Sequence, residues 1–426
     1  MALIGAASKV MDERCAALLL DMPPPHAHLQ FSVVLPVRNE AHHLGRALAA
    51  LAAQRQLDGQ AFDATRFEVL LLANNCSDDS AAVARAFARR HPACAVHVAE
   101  AGLPAELANV GHVRGALMDA ACRRLGAHQR PGRCIVSTDG DTTVAPNWLA
   151  HTELAIAAGA DAVGGRIRLG ASSRIEPRTL RWYRLDAAER LARSRLEDLL
   201  DPDPADPWPR HHQHFGASLA ITPQAYLAVG GLPRVPYLED QALVDALRLQ
   251  DLRVRHSTAV KVKTSSRQDG RAEVGLAWQL RQWGRAGMQA EGWLVQDVNA
   301  WVQDVQQRRR LRELWALGRT GADGSRWPDA QARPSALSRL AGALGVMPAW
   351  LAGEVAAARH FGALWAQVQA RLNAEAQAEP PAQVQAQHSA TRSSPPVPVR
   401  SAVDQLRALI AAQRPRPVLD SSTSRR

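Results

Sequence analysis

Phe31-Ser32-Val33-Val34-Leu35-Pro36-Val37-Arg38-Asn39-Glu40 is an apolar β-type run that breaks abruptly into polar residues. From Glu40 to Gln54, Leu44, Leu48 and Leu51 then fall at helical spacing. The same strand-to-helix unit recurs. Phe67–Leu72 precedes the helical run Asp79–Arg90, Ala95–Ala99 precedes Val110–Leu125, and Cys134–Thr138 precedes a charged turn and Trp148–Ala158. Asp161–Leu169 reads as a fifth strand and Ala259–Lys263 as a later one. Such alternation predicts βαβ units: an α/β fold with a Rossmann-like, mostly parallel sheet flanked by helices. Ligands of these sheets sit beyond the carboxyl ends of the strands, so the polar residues there carry the functional information.

Outward from this core the 426-residue chain divides by composition. Residues 1–29 form a leader ending in Pro23-Pro24-Pro25, residues 30–283 the α/β domain, and residues 284–375 a helical extension. Residues 376–426, rich in Ala, Gln, Pro and Ser, are expected to be a disordered tail, within which Ser401–Gln413 has amphipathic spacing. Five scattered cysteines without a C-x-x-C pair suit a reducing compartment and exclude a disulfide scaffold. No run approaches the roughly 18 continuous apolar residues of a membrane span, and the N-terminus reads as neither signal nor anchor. A cytoplasmic protein is expected, at most peripheral at the inner membrane face.

The formal charge is +10, and from Gly284 onward 18 Arg stand against 11 acids. This excess is spread through the extension rather than forming a basic stripe interleaved with aromatics, so no nucleic-acid partner is expected. The basic run around Arg308-Arg309-Arg310 and Arg312, beside Val305, Leu311, Leu314 and Leu317, suits helices packed on a neighbour; the alternative is reversible docking on anionic lipid.

Three polar clusters would share one edge of the sheet: Pro36-Val37-Arg38-Asn39-Glu40, Asn74-Asn75-Cys76-Ser77-Asp78-Asp79, and Asp139-Gly140-Asp141. Two carboxylates flanking a glycine repel unless a cation or hydrogen-bond donors balance them. Mg²⁺ or Mn²⁺ bound through one or two carboxylates plus substrate phosphates would do so. The bland reading is an acidic turn. Ser77 or Asp78 can cap the following helix, whereas the amides of Asn74 and Asn75 can pair with a base edge or ribose.

Taken in order, Val-Val-Leu-Pro-Val-Arg-Asn-Glu, Asn-Asn-Cys-Ser-Asp-Asp-Ser, Asp139-Gly140-Asp141 and Glu239-Asp240 resemble glycosyltransferase family 2, nucleotide-sugar-dependent enzymes of the GT-A fold. The resemblance spans about residues 30–283. Asn109-Val-Gly111-His-Val-Arg114 resembles the family's segment near the donor ribose and phosphates. Phe215-Gly-Ala-Ser-Leu-Ala220 and Ala228-Val-Gly-Gly-Leu resemble its run into the acidic acceptor-side motif. The resemblance implies transfer of a sugar from a nucleotide diphosphate to a hydroxyl acceptor, either glycan or lipid-linked, with inversion. Asp141 would hold the metal, and Asp139 either the metal or the ribose. Asp240 would be the general base and Glu239 would hold hydroxyls. Pro36, Val37, Asn39, Glu40, Asn74, Asn75, Ser77, Gly111, Arg114, Asp139, Gly140 and Arg267 would line the donor. Asn74-Asn75 stand where the family often has an Asp pair, so a UDP-sugar is favoured without being fixed. Gln279-Leu-Arg281-Gln-Trp283 departs from the Q-x-x-R-W of processive synthases.

His211, His212, His214 and His256 admit a transition-metal reading, with packing as the alternative, and Arg210–His214 is placed at the acceptor mouth. Trp148, Trp182 and Trp208 either stack sugars or pack. A nucleotidyltransferase would need a Gly-rich loop after the first strand, which Pro36-Val-Arg-Asn-Glu lacks. The alternative function is a non-catalytic nucleotide-sugar binder or scaffold.

Overall fold

The computed structural model describes residues 21–126, 131–170, 175–268, 270, 274–286, 288, 292–319, 332–377 and 394–413. The leader's first 20 residues, and Asp269 and Arg271 of the loop after Ala259–Lys263, lie outside them.

Four strands, β1 (Phe31–Val37), β2 (Phe67–Asn74), β3 (Ala95–Ala101) and β4 (Cys134–Ser137), lie parallel in the order β3-β2-β1-β4. Helices α1 (Ala41–Ala52), α2 (Ser80–Arg90) and α3 (Val110–Leu125) make the crossovers. β2 is buried along its whole length, and β1 at all but Pro36. This explains why both read as mostly apolar runs, with the buried Ser32 donating to the buried Glu68 at 2.9 Å. Alternate side chains feed two cores. Val34, Leu70 and Leu72 meet Leu117, Met118 and Ala121 of α3, while Val33, Leu35 and Leu71 meet Leu44 and Leu48 of α1. The strand period of two thus places a hydrophobic layer on each face.

The sheet continues through β5 (Thr142–Val144), β6 (Ala162–Leu169), β7 (Leu219–Ile221) and β8 (Val254–Thr264) to eight strands, ordered β3-β2-β1-β4-β7-β6-β8-β5. β6 and β8 are parallel, β7 runs antiparallel to both its neighbours, and β5 runs antiparallel to β8. The α/β class is as expected, but the sheet is more mixed. At three residues each, β5 and β7 are too short to show a period, which is why sequence reading passes over them. Next in chain order come helices α4 (Trp148–Ala157), α5 (Pro177–Leu200), α6 (Pro223–Ala228), α7 (Glu239–Leu249) and α8 (Leu276–Ala286), of which α4, α6 and α7 lie wholly with the sheet. Trp148 is fully buried with Nε1 donating to Ser218 Oγ at 3.0 Å, so it packs.

The described residues group into two compact units. The first takes the residues up to Thr179, Pro204–Gly284 and Arg359–Ala363, and holds the whole sheet; the second takes Leu180–Asp203, Arg285–Ala358 and the residues from Leu364. The second unit contains most of α5, with α9 (Val298–Arg319), α10 (Ala332–Leu344), α11 (Pro348–Ala357), most of α12 (Phe361–Gln377), and α13 (Val399–Ala412). It also contains β9 (Leu294–Val295) paired antiparallel with β10 (Val397–Pro398). Leu196, Val298, Ala402 and Leu406 form one of its cores. α13 therefore stands inside the stretch read from composition as a disordered tail, where Ser401–Gln413 is amphipathic: Val399, Ala402, Val403 and Leu406 are its buried stripe.

The basic run of α9 is largely neutralised within this unit. Asp201, its side chain 2% exposed, accepts from Arg308 Nε at 2.9 Å and from Arg312 at 2.7 and 2.9 Å, and Arg308 also pairs with Glu197 at 2.7 Å. Among the described residues no single helix is long and apolar enough to cross a membrane; one pair, 334–344 with 348–357, passes by composition but is bent by 113°. Leu340, Ala341, Leu344, Leu351 and Val355 of that pair are buried. Leu406→Ala should cost about 2–5 kcal/mol, the range for a truncated core leucine. Urea unfolding of the full-length protein measures it, and an unchanged midpoint would show that α13 is an ornament.

Candidate active site

The loops after β1 and β2 brace each other. Asn39, at φ 56°, accepts from Ser77 N–H at 2.7 Å; Ser80 Oγ accepts from Glu40 N–H at 2.7 Å, and Asp78 from Ala41 N–H at 3.0 Å. Asp78 also accepts from Ser80 N–H at 3.0 Å, so of the two capping candidates Asp78 is the one that binds the helix start. Asn75, also left-handed at φ 48°, has both ends of its amide engaged by Leu103: Nδ2 donates to the carbonyl at 2.8 Å and Oδ1 accepts from the N–H at 2.9 Å. Asn74, at the end of β2, is buried.

Acidic groups gather beyond β1 and β4. Glu40 is buried and pairs through both oxygens with Arg267, one contact being 2.6 Å. Arg267 Nη2 also lies 3.2 Å from Asp141. Gly140 keeps the packing here close: a Cβ on it would sit 3.0 Å from Glu40 Cγ and 3.3 Å from Val37 Cγ2. The Asp141 carboxyl is pushed up to about 6, by burial first and then by Asp139, with Arg267 opposing. Thr264 Oγ1 donates to it at 3.3 Å.

Arg114 joins this group to the start of α7. Buried at 3% exposure, its guanidinium donates to Glu239 Oε1 at 2.9 Å, to Asp139 Oδ1 at 2.9 Å, to the Gly216 carbonyl at 3.0 Å, and to Ser137 Oγ. Burial alone would lower its pKa, but Asp139, Glu239 and Asp240 hold it further up than its ordinary value. Gly216 is obligatory for the same reason, because a Cβ there would lie 2.4 Å from Arg114 Cζ. Gly111 permits another close approach: its Cβ would lie 1.9 Å from the Val235 carbonyl, in the loop leading to α7.

Glu239 and Asp240 open α7 after Leu238, which is left-handed at φ 59°, an uncommon state for leucine. Each Asp240 oxygen accepts one backbone N–H: Oδ2 from Gly216 at 2.7 Å and Oδ1 from Gln241 at 2.7 Å. Its carboxyl is raised, by burial first and then by Glu239, against those two donors and Arg114. Two backbone donors hold the carboxylate in one orientation while each oxygen keeps a free lone pair.

The expected residues thus come together through Arg114, Arg267 and the two braced loops. Most of them are also bonded within the protein: Arg114 to Glu239 and Asp139, Arg267 to Glu40 and Asp141, Asn39 to Ser77, Asn75 to Leu103, and Asp240 to two backbone N–H groups. Sequence reading passed over Ser137, Gly216 and Gln241 as site residues. Gly216 was visible inside Phe215-Gly-Ala-Ser, but its contact with Arg114 spans 102 residues. The Arg210–His214 stretch does not form an open mouth, since Arg210, His211 and His214 are buried.

A metal fits this site in one way. The carboxylates of Glu40, Asp139, Asp141, Glu239 and Asp240 face the guanidinium groups of Arg114 and Arg267, which leaves net negative charge. Among the described residues no group of three or more His, Cys, Asp or Glu is arranged as a metal cage. Asp141 with Asp139 suits instead a cation whose remaining ligands come from substrate phosphates and water.

No family model matches the sequence, and no curated protein matches it. Solved structures similar to the chain include mannosyltransferase PcManGT from Pyrobaculum calidifontis in complex with GDP-Man and Mn2+ (TM-score 0.41, 18% identity, 96% of this chain and 94% of that chain). S. aureus TarS 1–349 in complex with UDP is another (TM-score 0.41, 12% identity, 90% and 91%). A third is M. tuberculosis glucosyl-3-phosphoglycerate synthase with Mn2+, UDP-Glc and phosphoglyceric acid (TM-score 0.30, 17% identity, 65% and 82%). At this level of similarity the reading of the site rests on its own geometry.

Arg114→Ala would leave Glu239 buried without its cation. Breaking such a pair costs about 3–5 kcal/mol, so thermal unfolding of the variant should shift down by several degrees even without ligand.

Proposed function

We propose that the chain is a GT-A-type glycosyltransferase, similar to family 2, that moves a sugar from a nucleotide diphosphate to an acceptor hydroxyl. The observation that carries this reading is the pairing of two unlike carboxylate sites across Arg114. On one side Asp139 and Asp141 hold excess negative charge beside Arg267. On the other, Asp240 is fixed by two backbone N–H donors and has a raised pKa, which suits a general base.

In this reading Asp240 takes the acceptor proton as the acceptor oxygen bonds to the anomeric carbon. The bond to the diphosphate oxygen breaks on the opposite face, giving inversion. A divalent cation, Mg²⁺ or Mn²⁺, held by Asp141 with Asp139 would neutralise the leaving diphosphate. Arg267 can donate a bidentate fork to phosphate oxygens as it now does to Glu40. Glu239 acts through Arg114, keeping the guanidinium charged and placed. With the Asn75 amide engaged by Leu103, base recognition falls to Asn74 and the surrounding backbone, and a UDP-sugar remains the favoured donor. The four described cysteines are free, in keeping with a reducing, cytoplasmic location. Neutralisation of the α9 arginines favours packing over lipid docking.

A panel of UDP- and GDP-sugars with and without Mn²⁺ or Mg²⁺ tests the reading by thermal unfolding of the full-length protein. One donor should raise the midpoint with metal present and fail to do so in Asp141→Asn or excess EDTA. No rise with any donor and metal would overturn the assignment.

Asp240→Asn should lower turnover roughly 10²–10⁴-fold while leaving nucleotide affinity in place. Because the Asp240 pKa is raised, wild-type turnover should fall with decreasing pH well above the ordinary aspartate value of about 3.9. Proton NMR of product from an α-linked donor should show the β anomer.

A further inference from the structure

Four cations stand together on β6 and β8. In the parallel pairing of these strands Arg166 lies opposite Lys261 and Arg168 opposite Lys263. Arg168, Lys261 and Lys263 are exposed, and Arg166 is half-buried. The residues between and beside them, Ile167, Val260 and Val262, pack into the core shared with α1 and α4. Side chains alternate between the faces of a strand, so the four cations share the opposite face. At about 3.3 Å per residue along a strand and about 4.8 Å between strands, their Cα atoms outline a rectangle of roughly 5 by 7 Å.

Such an arrangement works against folding, because like charges directly opposite each other on neighbouring strands are destabilising. Elsewhere the chain balances clustered cations: Arg308 and Arg312 share Asp201, and Arg210 and Arg255 share Asp206. Among the described residues none of the four cations on β6 and β8 has an ion pair or a side-chain hydrogen bond. An anion from outside the chain would remove the repulsion.

The array borders the site from the side of Asp240. Ala162, earlier on the same face of β6, shares a core with Leu243, Val244 and Leu247 of α7. Between it and Arg166 comes Gly164, where a Cβ would lie 2.4 Å from the Gln213 carbonyl. Helix α7, with its opening pair Glu239 and Asp240, therefore stands on the face that carries the cations. At the other end of the array, Leu169 and Thr264 form the next and last pair of the ladder, and Thr264 Oγ1 donates to Asp141 at 3.3 Å.

We propose that Arg166, Arg168, Lys261 and Lys263 bind the acceptor, and that this acceptor carries phosphate. A phosphate monoester brings nearly two charges and three strong acceptor oxygens. That matches a compact group of four donors better than a neutral glycan or a single carboxylate does. The arginines can meet it with paired N–H donors and the lysines with point charges. The role in transfer rests on the reading of the chain as a glycosyltransferase with Asp240 as its base; the anion site does not.

The rarity of lysine makes the site visible in the full-length protein, since Lys9, Lys261 and Lys263 are the only lysines of the sequence. Reductive methylation with ¹³C-formaldehyde marks them and keeps their charge. Titration with inorganic tripolyphosphate in EDTA should shift the Lys261 and Lys263 signals to saturation and leave Lys9 in place. Arg168→Gln leaves both reporters intact, and the midpoint of their shift should rise about tenfold as one charge-assisted bond is lost. The same variant should unfold at the wild-type temperature or above it, because a like-charge pair has been relieved. Unmoved lysine signals, an unchanged midpoint or a less stable variant would overturn the array as an anion site. Vesicles of phosphatidylglycerol in phosphatidylcholine that broaden the lysine signals where tripolyphosphate has no effect would assign the surface to a membrane instead.

Transfer decides what the anion is for. Wild-type protein should prefer a sugar phosphate to the same sugar without phosphate, and Arg168→Gln with Lys263→Gln should raise the KM of that acceptor about tenfold or more at unchanged donor KM. Equal transfer to both members of every such pair, or an unchanged acceptor KM, would refute the acceptor role. Absence of transfer by wild-type protein with every donor would instead sink the reading of the chain as a transferase, leaving the tripolyphosphate titration to decide the anion site.

Discussion

Arg114 is the interaction on which the site depends. A guanidinium buried in α3 is tolerable only if its donors all find acceptors. It finds them on the end of β4, on Gly216 before β7, and on the first residue of α7. These segments come from distant parts of the chain. The need to satisfy one buried cation thereby fixes the spacing between the Asp139–Asp141 turn and the Glu239–Asp240 pair. Glycine at 216 is a consequence, since no side chain fits beside that guanidinium.

Around this centre charge is left unbalanced. Arg267 closes part of the gap by lying between Glu40 and Asp141. It is a partly exposed cation on a loop, unlike Arg114 on a buried helix face. The Asp141 carboxyl is raised by its burial first and by the neighbouring Asp139 charge second. The loops after β1 and β2, braced on each other, hold their polar ends beside this charge.

Much of the first half of the fold was legible. The strands β1, β2 and β4 follow from apolar runs, because burial on both faces demands mostly apolar sequence, and helix α3 from its helical spacing; β3, at the sheet edge, is largely half-buried. The short strands β5 and β7 were not legible, because three residues carry no period. Helix α13 was partly legible: Ser401–Gln413 shows the right spacing, but a composition rich in Ala, Gln and Pro nearby masks a stripe that buries only a few large residues, Leu406 chief among them.

For the site, the sequence by itself determined which chemistry was present: Asp139-Gly140-Asp141 after a strand, Glu239-Asp240 at a helix start, and Asn-rich turns at strand ends. Residue types and local spacing suffice for that, because a strand end or a helix start is a local event. Only the tertiary structure decided what each group does. It engaged Asn75 with Leu103, tied Glu239 to Arg114, and turned scattered histidines at 214 and 256 into one chain ending on Gln241. Those partners are between 27 and 125 residues apart in the chain. A hydrogen bond acts over about 3 Å and is indifferent to sequence separation, so its partners are set by packing and cannot be read from the order of residues.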